Sequence, residues 1–119
     1  MNKKIDWFLF KNNDIILNYE NIDCNIKNNK YIVKDDYGTH TVDIDNKKYL
    51  KENDESKMTI DFINKHCILD ISNLDTLSFD IDCNMKILNE KVEMIYKFDE
   101  ESFKLIIKIK GDRNERKNK

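Results

Sequence analysis

Residues 77–92 read LSFDIDCNMKILNEKV, and apolar and polar residues alternate without a break from Leu77 to Ile87. A period of two is typical of a β-strand with one buried face and one face in solvent. The apolar run resumes at Val92, so the stretch predicts a β-hairpin that pairs Ile87 with Val92 around a turn at 88–91. This register places Met85 opposite Met94 and Cys83 opposite Tyr96.

Two neighbouring hairpins follow from the same reasoning. One pairs Phe62 with Cys67, and the other pairs Phe98 with Phe103, which sets Met94 opposite Ile107. Apolar residues then meet apolar residues on one face, while Lys86 meets Glu93 on the other, as a stable ladder requires. A slip of one residue would move every side chain to the wrong face. We therefore predict a meander of antiparallel strands.

The first half of the chain alternates less regularly. Residues 5–10 form either a strand or a short helical plug, and Asn and Asp supply the turns. The candidate strands are Ile15–Tyr19, Ile22–Ile26, Tyr31–Lys34, Thr39–Ile44 and Lys48–Lys51. Eight to ten short antiparallel strands must close or pack on each other, since an open sheet exposes an apolar face and two edges. The prediction is an all-β fold, an up-and-down β-barrel over residues 1–110 with a disordered basic tail at 111–119.

Several segments carry a family resemblance. They are residues 31–44 with the Thr-rich end 41–44, the strand 58–62, the turn 72–77 that leads into 79–83, and the strand 95–98. Together they resemble the YwiB-like family of small bacterial calycin-like (lipocalin-like) β-barrels, whose function is not established. The resemblance covers about two-thirds of the chain. It implies a barrel and brings no activity with it.

Charge and cysteine content narrow the function classes. The chain of 119 residues has a formal net charge of −2, with +3 in residues 110–119 and therefore −5 in the rest. A nucleic-acid-binding domain usually carries a basic face on its folded body, so we expect no nucleic-acid partner. Cys24, Cys67 and Cys83 are in phase with apolar neighbours and lack metal-ligand spacing, so we predict buried free thiols, no metal and no cofactor. The absence of a signal peptide or apolar span favours a cytoplasmic protein without a membrane partner.

Reactive side chains mostly have a plainer structural interpretation, so we expect a binding module rather than an enzyme. His40 shares a phase with Val42 and Ile44, and Asp35 or Asp36 is a conceivable carboxylate partner. The first hypothesis is a small, partly apolar ligand held in the barrel or at its mouth. The ligand-binding residues would be Trp7, His40, Met85, Met94 and Tyr96. The alternative is a solid scaffold that binds a protein through its outer face or rim, with Ile95 and Ile106 as the exposed apolar residues.

Overall fold

A computed structural model describes residues 2–72 and 74–110, and every regular element in these ranges is a β-strand. Eleven strands follow one another, with bounds β1 Asn2–Lys11, β2 Asp14–Lys27, β3 Lys30–Asp35, β4 Gly38–Asp43, β5 Lys48–Glu52, β6 Ser56–Asp61, β7 His66–Ile71, β8 Leu77–Asp80, β9 Cys83–Leu88, β10 Lys91–Phe98 and β11 Glu101–Ile109. In these two ranges no helix is long and apolar enough to cross a membrane. The predicted tail at 111–119 lies outside the described residues.

All eleven strands belong to one antiparallel sheet. Its order is β8-β7-β6-β5-β4-β3-β2-β1-β11-β10-β9. Consecutive strands therefore pair with each other except β8 and β9, which lie at the two edges, and the first strand, β1, pairs with the last, β11. The sheet curls strongly into a half-barrel, since one apolar face can be buried only by bending that face onto itself. The predicted all-β class and the up-and-down connectivity are confirmed.

The segment 77–88 changes its partner strand midway. Its first part, β8, pairs with β7, and its second part, β9, pairs with β10. At the point of exchange Ile81 N–H donates to the carbonyl of Lys65, while the carbonyl of Asp82 accepts from Lys97 N–H. The two edge strands of the sheet are therefore consecutive in the chain, and we call the line where the edges approach each other the seam.

The inward positions form one apolar core. Side chains from β1, β4, β6, β10 and β11 contribute its most deeply buried members, which include Ile5, Val42, Ile60, Met94 and Ile107. The three cysteines are buried in the same core, as the sequence predicted. The polar residues between them lie on the outer face, because successive side chains of a strand point in opposite directions.

One predicted register is correct and two are wrong by two residues. Met85 lies opposite Met94 and Cys83 opposite Tyr96, as expected. In the last hairpin, however, Phe98 lies opposite Glu101 and Met94 opposite Leu105, not Ile107. The reason is a two-residue turn at 99–100, in which Asp99 adopts a left-handed φ of 54°.

The hairpin of β6 and β7 shows the second error. Ile60 lies opposite Cys67, where the sequence predicted Phe62 opposite Cys67. Asp61 begins the turn early, since its Oδ1 accepts the N–H groups of Ile63 and Asn64. Phe62 therefore belongs to the turn, although its side chain is still buried. A shift of two residues preserves which face each side chain occupies.

Strands in the first half are longer than predicted. Residues 2–11 form a strand and not a helical plug, and the two candidates at 15–26 are a single strand, β2. Asn21, with a φ of 58°, interrupts the pairing of β2 with β1 without ending the strand. The turns at 12–13 and 28–29 consist of asparagines in the left-handed region, which suits the twist of a two-residue hairpin turn.

A substitution at Ile107 tests which face of β11 points into the core. The Ile107 side chain is fully buried between Trp7 on β1 and Val92 on β10. An Ile107→Asp substitution would bury an unpaired carboxylate, so we expect it to lower the free energy of unfolding by more than about 3 kcal/mol. Lys104→Asp on the outer face should change it by less than about 1 kcal/mol. Urea denaturation followed by circular dichroism measures both, and equal losses would contradict the assignment of faces.

Candidate functional site

The five residues predicted to bind a ligand all lie inside the curled sheet. Their exposed fractions are small, at 1% for Trp7, 2% for His40, 8% for Met85, 0% for Met94 and 4% for Tyr96. The inward phase was therefore read correctly. Their side chains contact the core and not solvent. A ligand in solution would therefore meet other residues before it reached these five.

A tight turn positions His40 and its partner Asp35. Asp35 at the end of β3 pairs with Gly38 at the start of β4, with only Asp36 and Tyr37 between them. Gly38 has a φ of +132°, and a Cβ atom there would lie 2.3 Å from the carbonyl oxygen of Glu52. Only glycine fits this position, because a larger residue would be both strained and in collision with the backbone.

His40 bridges two side chains through its ring nitrogens. Nδ1 lies 2.9 Å from the hydroxyl of Tyr49, and Nε2 lies 3.1 Å from Oδ2 of Asp35. A neutral imidazole has one donor and one acceptor nitrogen. Because the carboxylate can only accept, Nε2–H donates to Asp35, and Nδ1 accepts the Tyr49 hydroxyl proton. The sequence leaves Asp35 and Asp36 as candidate partners of His40, and the structure selects Asp35.

The electrostatics of this group favour a neutral histidine. Burial holds the pKa of His40 below its usual value, although the neighbouring Asp35 acts in the opposite direction. For Asp35, burial acts to raise the pKa, but the hydrogen bonds from Tyr37 N–H, His40 and the Tyr19 hydroxyl outweigh it and keep the pKa below its usual value. Protonation of His40 would also leave the buried Tyr49 hydroxyl without its acceptor.

Aromatic rings continue from this group across the interior. Trp7 packs on His40 with ring centroids 4.9 Å apart, and His40 stacks on Tyr49 at 6.2 Å. The series then passes through Tyr96 and Phe98 to Phe79, with centroid separations of 6.3, 5.8 and 6.1 Å. We call these six residues the ring series. It links three of the predicted site residues, Trp7, His40 and Tyr96.

Met85 and Met94 are not members of the ring series. They face each other across β9 and β10 and fill the core beside it. The sequence gives no sign of a site role for Tyr49, and it places Phe79 and Phe98 in a buried strand phase that is typical of core residues. The register of β4 and β5 pairs Val42 with Tyr49, which places Tyr49 diagonally across from His40, two residues along the ladder and on the same face.

The ring series reaches the surface at the seam. There a depression of about 330 Å³ is lined by Phe79 and Phe98, together with Asp80, Lys97 and Asp99. It exists because β10 ends at Phe98 and β8 pairs only with β7, so the other edge of β8, next to Asp80, has no neighbouring strand among those described. Phe79 and Phe98 are half-buried, and Phe103 packs behind Phe98 at 6.0 Å.

Two other depressions adjoin the turn after β3. One, of about 330 Å³, includes Tyr19, Lys34 and Asp35, and the other, of about 370 Å³, includes Tyr37, Lys51 and Asp54. Asp36 borders both. Charged side chains line all three depressions, but among the three only the seam depression has two phenylalanine rings in its wall, and these rings continue into the apolar core. The seam is therefore the better candidate for a partly apolar ligand.

The chemistry available to the buried group is limited by access. Two hydrogen bonds link Tyr49, His40 and Asp35, and a proton could pass along them. The exposed fraction of Tyr49 is only 3%, so molecules in solution have little access to its hydroxyl. Burial also raises the pKa of Tyr49 well above its usual value, so its hydroxyl stays protonated. Within the described ranges, no group of three His, Cys, Asp or Glu side chains is placed to hold a metal ion.

One buried donor near this group has no acceptor. The indole Nε1 of Trp7 forms no hydrogen bond with any atom of the described residues. An unpaired buried N–H costs about 1–3 kcal/mol, and the packing of Trp7 on His40 and the core offsets this cost. Trp7 is the only tryptophan in the chain, so its fluorescence reports on this group alone.

Comparisons with known proteins give no relative for this chain. No protein-family model, no curated protein and no solved structure matches it.

His40 should make folding sensitive to mild acid. A base whose pKa is lowered by folding contributes stability that is complete above its unfolded pKa, about 6.5 for histidine, and that is lost as the pH falls through the folded pKa. Each tenfold difference in proton affinity between the two states corresponds to about 1.4 kcal/mol. We expect the free energy of unfolding to fall between about pH 7 and pH 5 in the wild type, and much less in His40→Gln.

Urea denaturation at several pH values measures this effect, with Trp7 fluorescence as the probe. His66→Gln is the matched control, since His66 is the other histidine of the chain and its side chain is 34% exposed. The control should retain the fall seen in the wild type. An identical pH dependence in His40→Gln and the wild type would contradict the assignment.

The cysteines should be unreactive until the chain unfolds. Burial raises the pKa of Cys24 and of Cys67 to about 11, and it also raises the pKa of Cys83. At about pH 8 few thiolates form, and the side chains are closed to reagents. Titration with a disulfide reagent should detect no fast-reacting thiol in the native protein and three per chain after denaturation. Rapid modification of the native protein would contradict this.

Proposed function

We propose that this chain is a non-catalytic binding protein of the calycin-like (lipocalin-like) β-barrels, and that it holds a small, partly apolar ligand at the seam. The observation that carries the proposal is the depression between Phe79 and Phe98. It offers two aromatic walls together with two carboxylates and one ammonium group. Sites for small molecules commonly combine an apolar lining with a few polar groups and have volumes of about 300–1,000 Å³.

The rim is a better place for the ligand than the interior. The inward residues that the sequence suggested, from Trp7 to Tyr96, are packed against one another, and a ligand there would have to displace them. Native packing is dense, so such displacement is costly. At the seam a ligand would contact Phe79 and Phe98, with Tyr96 and Phe103 beneath them.

Membership of the YwiB-like family and a bacterial, cytoplasmic setting are parts of the same proposal. The segments 58–62, 79–83 and 95–98 carry the family resemblance, and their inward residues line the core of the half-barrel or pack against it. Three buried free thiols support a reducing compartment, because disulfides are rare in the cytoplasm.

An apolar dye tests the site directly. N-phenyl-1-naphthylamine is small, neutral and partly apolar, and its emission rises in an apolar site. We expect it to bind the native protein, and Phe98→Ser to weaken binding about tenfold, which corresponds to about 1.4 kcal/mol of lost apolar contact. Phe8→Ser is the matched control, because Phe8 is also half-buried but lies on the outer face.

Both variants should remain folded by circular dichroism. Equal weakening by the two substitutions, or dye binding that survives Phe98→Ser unchanged, would overturn the proposed site. Native mass spectrometry of protein purified from its own host adds an independent measurement, since a small molecule bound at the seam should be retained by the wild type and lost from Phe98→Ser.

A further inference from the structure

The outer face of the sheet divides into two walls with different charge patterns. On the wall formed by β3–β8, registered strands bring opposite charges together across each ladder. One row runs Lys30, Asp43, Lys48, Asp61, His66, Asp80. A parallel row places Glu52 opposite Lys57, and Lys57 opposite Asp70. Each lysine in these rows therefore has a carboxylate opposite it across a ladder, so the charges of the two signs are balanced, as expected for a face that only has to remain in water.

The wall formed by β9, β10 and β11 is different. Its outward positions include five lysines, Lys86, Lys91, Lys97, Lys104 and Lys108, and a single acidic residue, Glu93. Glu93 forms an ion pair with Lys91 at 3.0 Å. Among the described residues, the other four lysines form no ion pair. An acidic protein therefore has one face with an excess of positive charge.

Apolar side chains lie between these lysines. Ile106 on β11 sits opposite Phe8 on β1, and Phe10 sits opposite Lys104, which in turn faces Ile95. All four apolar residues are half-buried under the neighbouring side chains and point outward. We define the basic face as Lys86, Lys97, Lys104 and Lys108 with Phe8, Phe10, Ile95 and Ile106.

We infer that the basic face is a docking surface for an acidic protein segment that carries apolar side chains at its centre and carboxylates around them. Charge complementarity selects this partner, since Lys86, Lys97, Lys104 and Lys108 outnumber the carboxylates beside the apolar residues. These carboxylates are Glu93, which pairs with Lys91, and Asp6, which lies opposite Lys108 and pairs with Lys110. The proposed ligand site at the seam shares only Lys97 with the basic face, and the variants that test the inference leave Lys97 unchanged, so the two proposals can fail separately.

The aromatic residues favour a protein over a nucleic acid. The ammonium group of Lys108 lies 5.7 Å from the centroid of the Phe8 ring and covers that ring. Stacking of bases needs free aromatic faces, whereas the aliphatic Ile95 and Ile106 suit apolar side chains of another protein.

Binding of a designed peptide tests the inference. The probe is a fluorescein-labelled amphipathic peptide of about 18 residues, with leucine on one face and glutamate on the others. Its binding is measured by fluorescence anisotropy. We expect saturable binding below about 1 mM that weakens at least about fivefold when NaCl rises from about 50 to about 300 mM. Lys104→Glu with Lys108→Glu should weaken binding at least about tenfold.

The matched control reverses the charge at two lysines on the wall formed by β3–β8. Lys48→Glu with Lys57→Glu changes the net charge equally, and it should alter the affinity by less than about twofold if the basic face is the site. Amide chemical shifts should change on β9–β11 and β1 only. The inference is overturned by an absence of peptide binding, by equal loss in the control, or by tighter binding of a single-stranded oligothymidylate or of phosphatidylserine vesicles than of the peptide.

Discussion

The exchange of partners within residues 77–88 is the constraint on which the rest of the structure depends. Because Ile81 bonds toward β7 and Asp82 toward β10, the two edges of an eleven-stranded sheet must approach each other at one point. This approach forces the curl that buries the apolar face. It also leaves each edge uncovered on one side of the exchange. Lys65 covers part of the β9 edge, since its ammonium group donates to the carbonyl of Cys83 at 2.7 Å, and the Phe79–Phe98 depression opens on the other part.

The buried histidine of the curl has its hydrogen bonds met, in contrast to the indole Nε1 of Trp7 beside it, which has no acceptor among the described residues. His40 is the one polar residue among the fully buried side chains of the described ranges, and both of its ring nitrogens have partners. Replacing a paired buried group by an unpaired one costs more than the pair contributes. The turn at Gly38 and the position of Asp35 are therefore part of the same arrangement as the packing of Trp7. The core and the polar group stabilise each other.

Much of the fold could be predicted from the alternation of residue types, and the part that could not depends on turns. The period of two identified which side chains between Met85 and Tyr96 point inward, because in a strand with one buried face every second side chain is buried. It could not fix how many residues a turn contains. Asp61 changes the length of its turn through local hydrogen bonds, and Asp99 does so through a left-handed φ. Each shifts the register of its hairpin by two residues, which the alternation of residue types does not detect. The union of two candidate strands into β2, and the approach of Tyr49 to His40, depend on pairing between strands rather than on any single segment.

The short hairpin turns have a consequence for the order of folding. Five hairpins of the described chain, with turns at 12–13, 28–29, 36–37, 89–90 and 99–100, have only two residues in the turn, so the strands on either side meet after closing a very short loop. The chain has no proline, so no slow isomerisation about a prolyl bond delays this step. The pairing of β1 with β11 joins Ile5 to Ile109 and can form only after the intervening hairpins have shortened the distance. The molecule thus combines fast local steps with one late, long-range closure, and the rate of that closure is set by loop entropy.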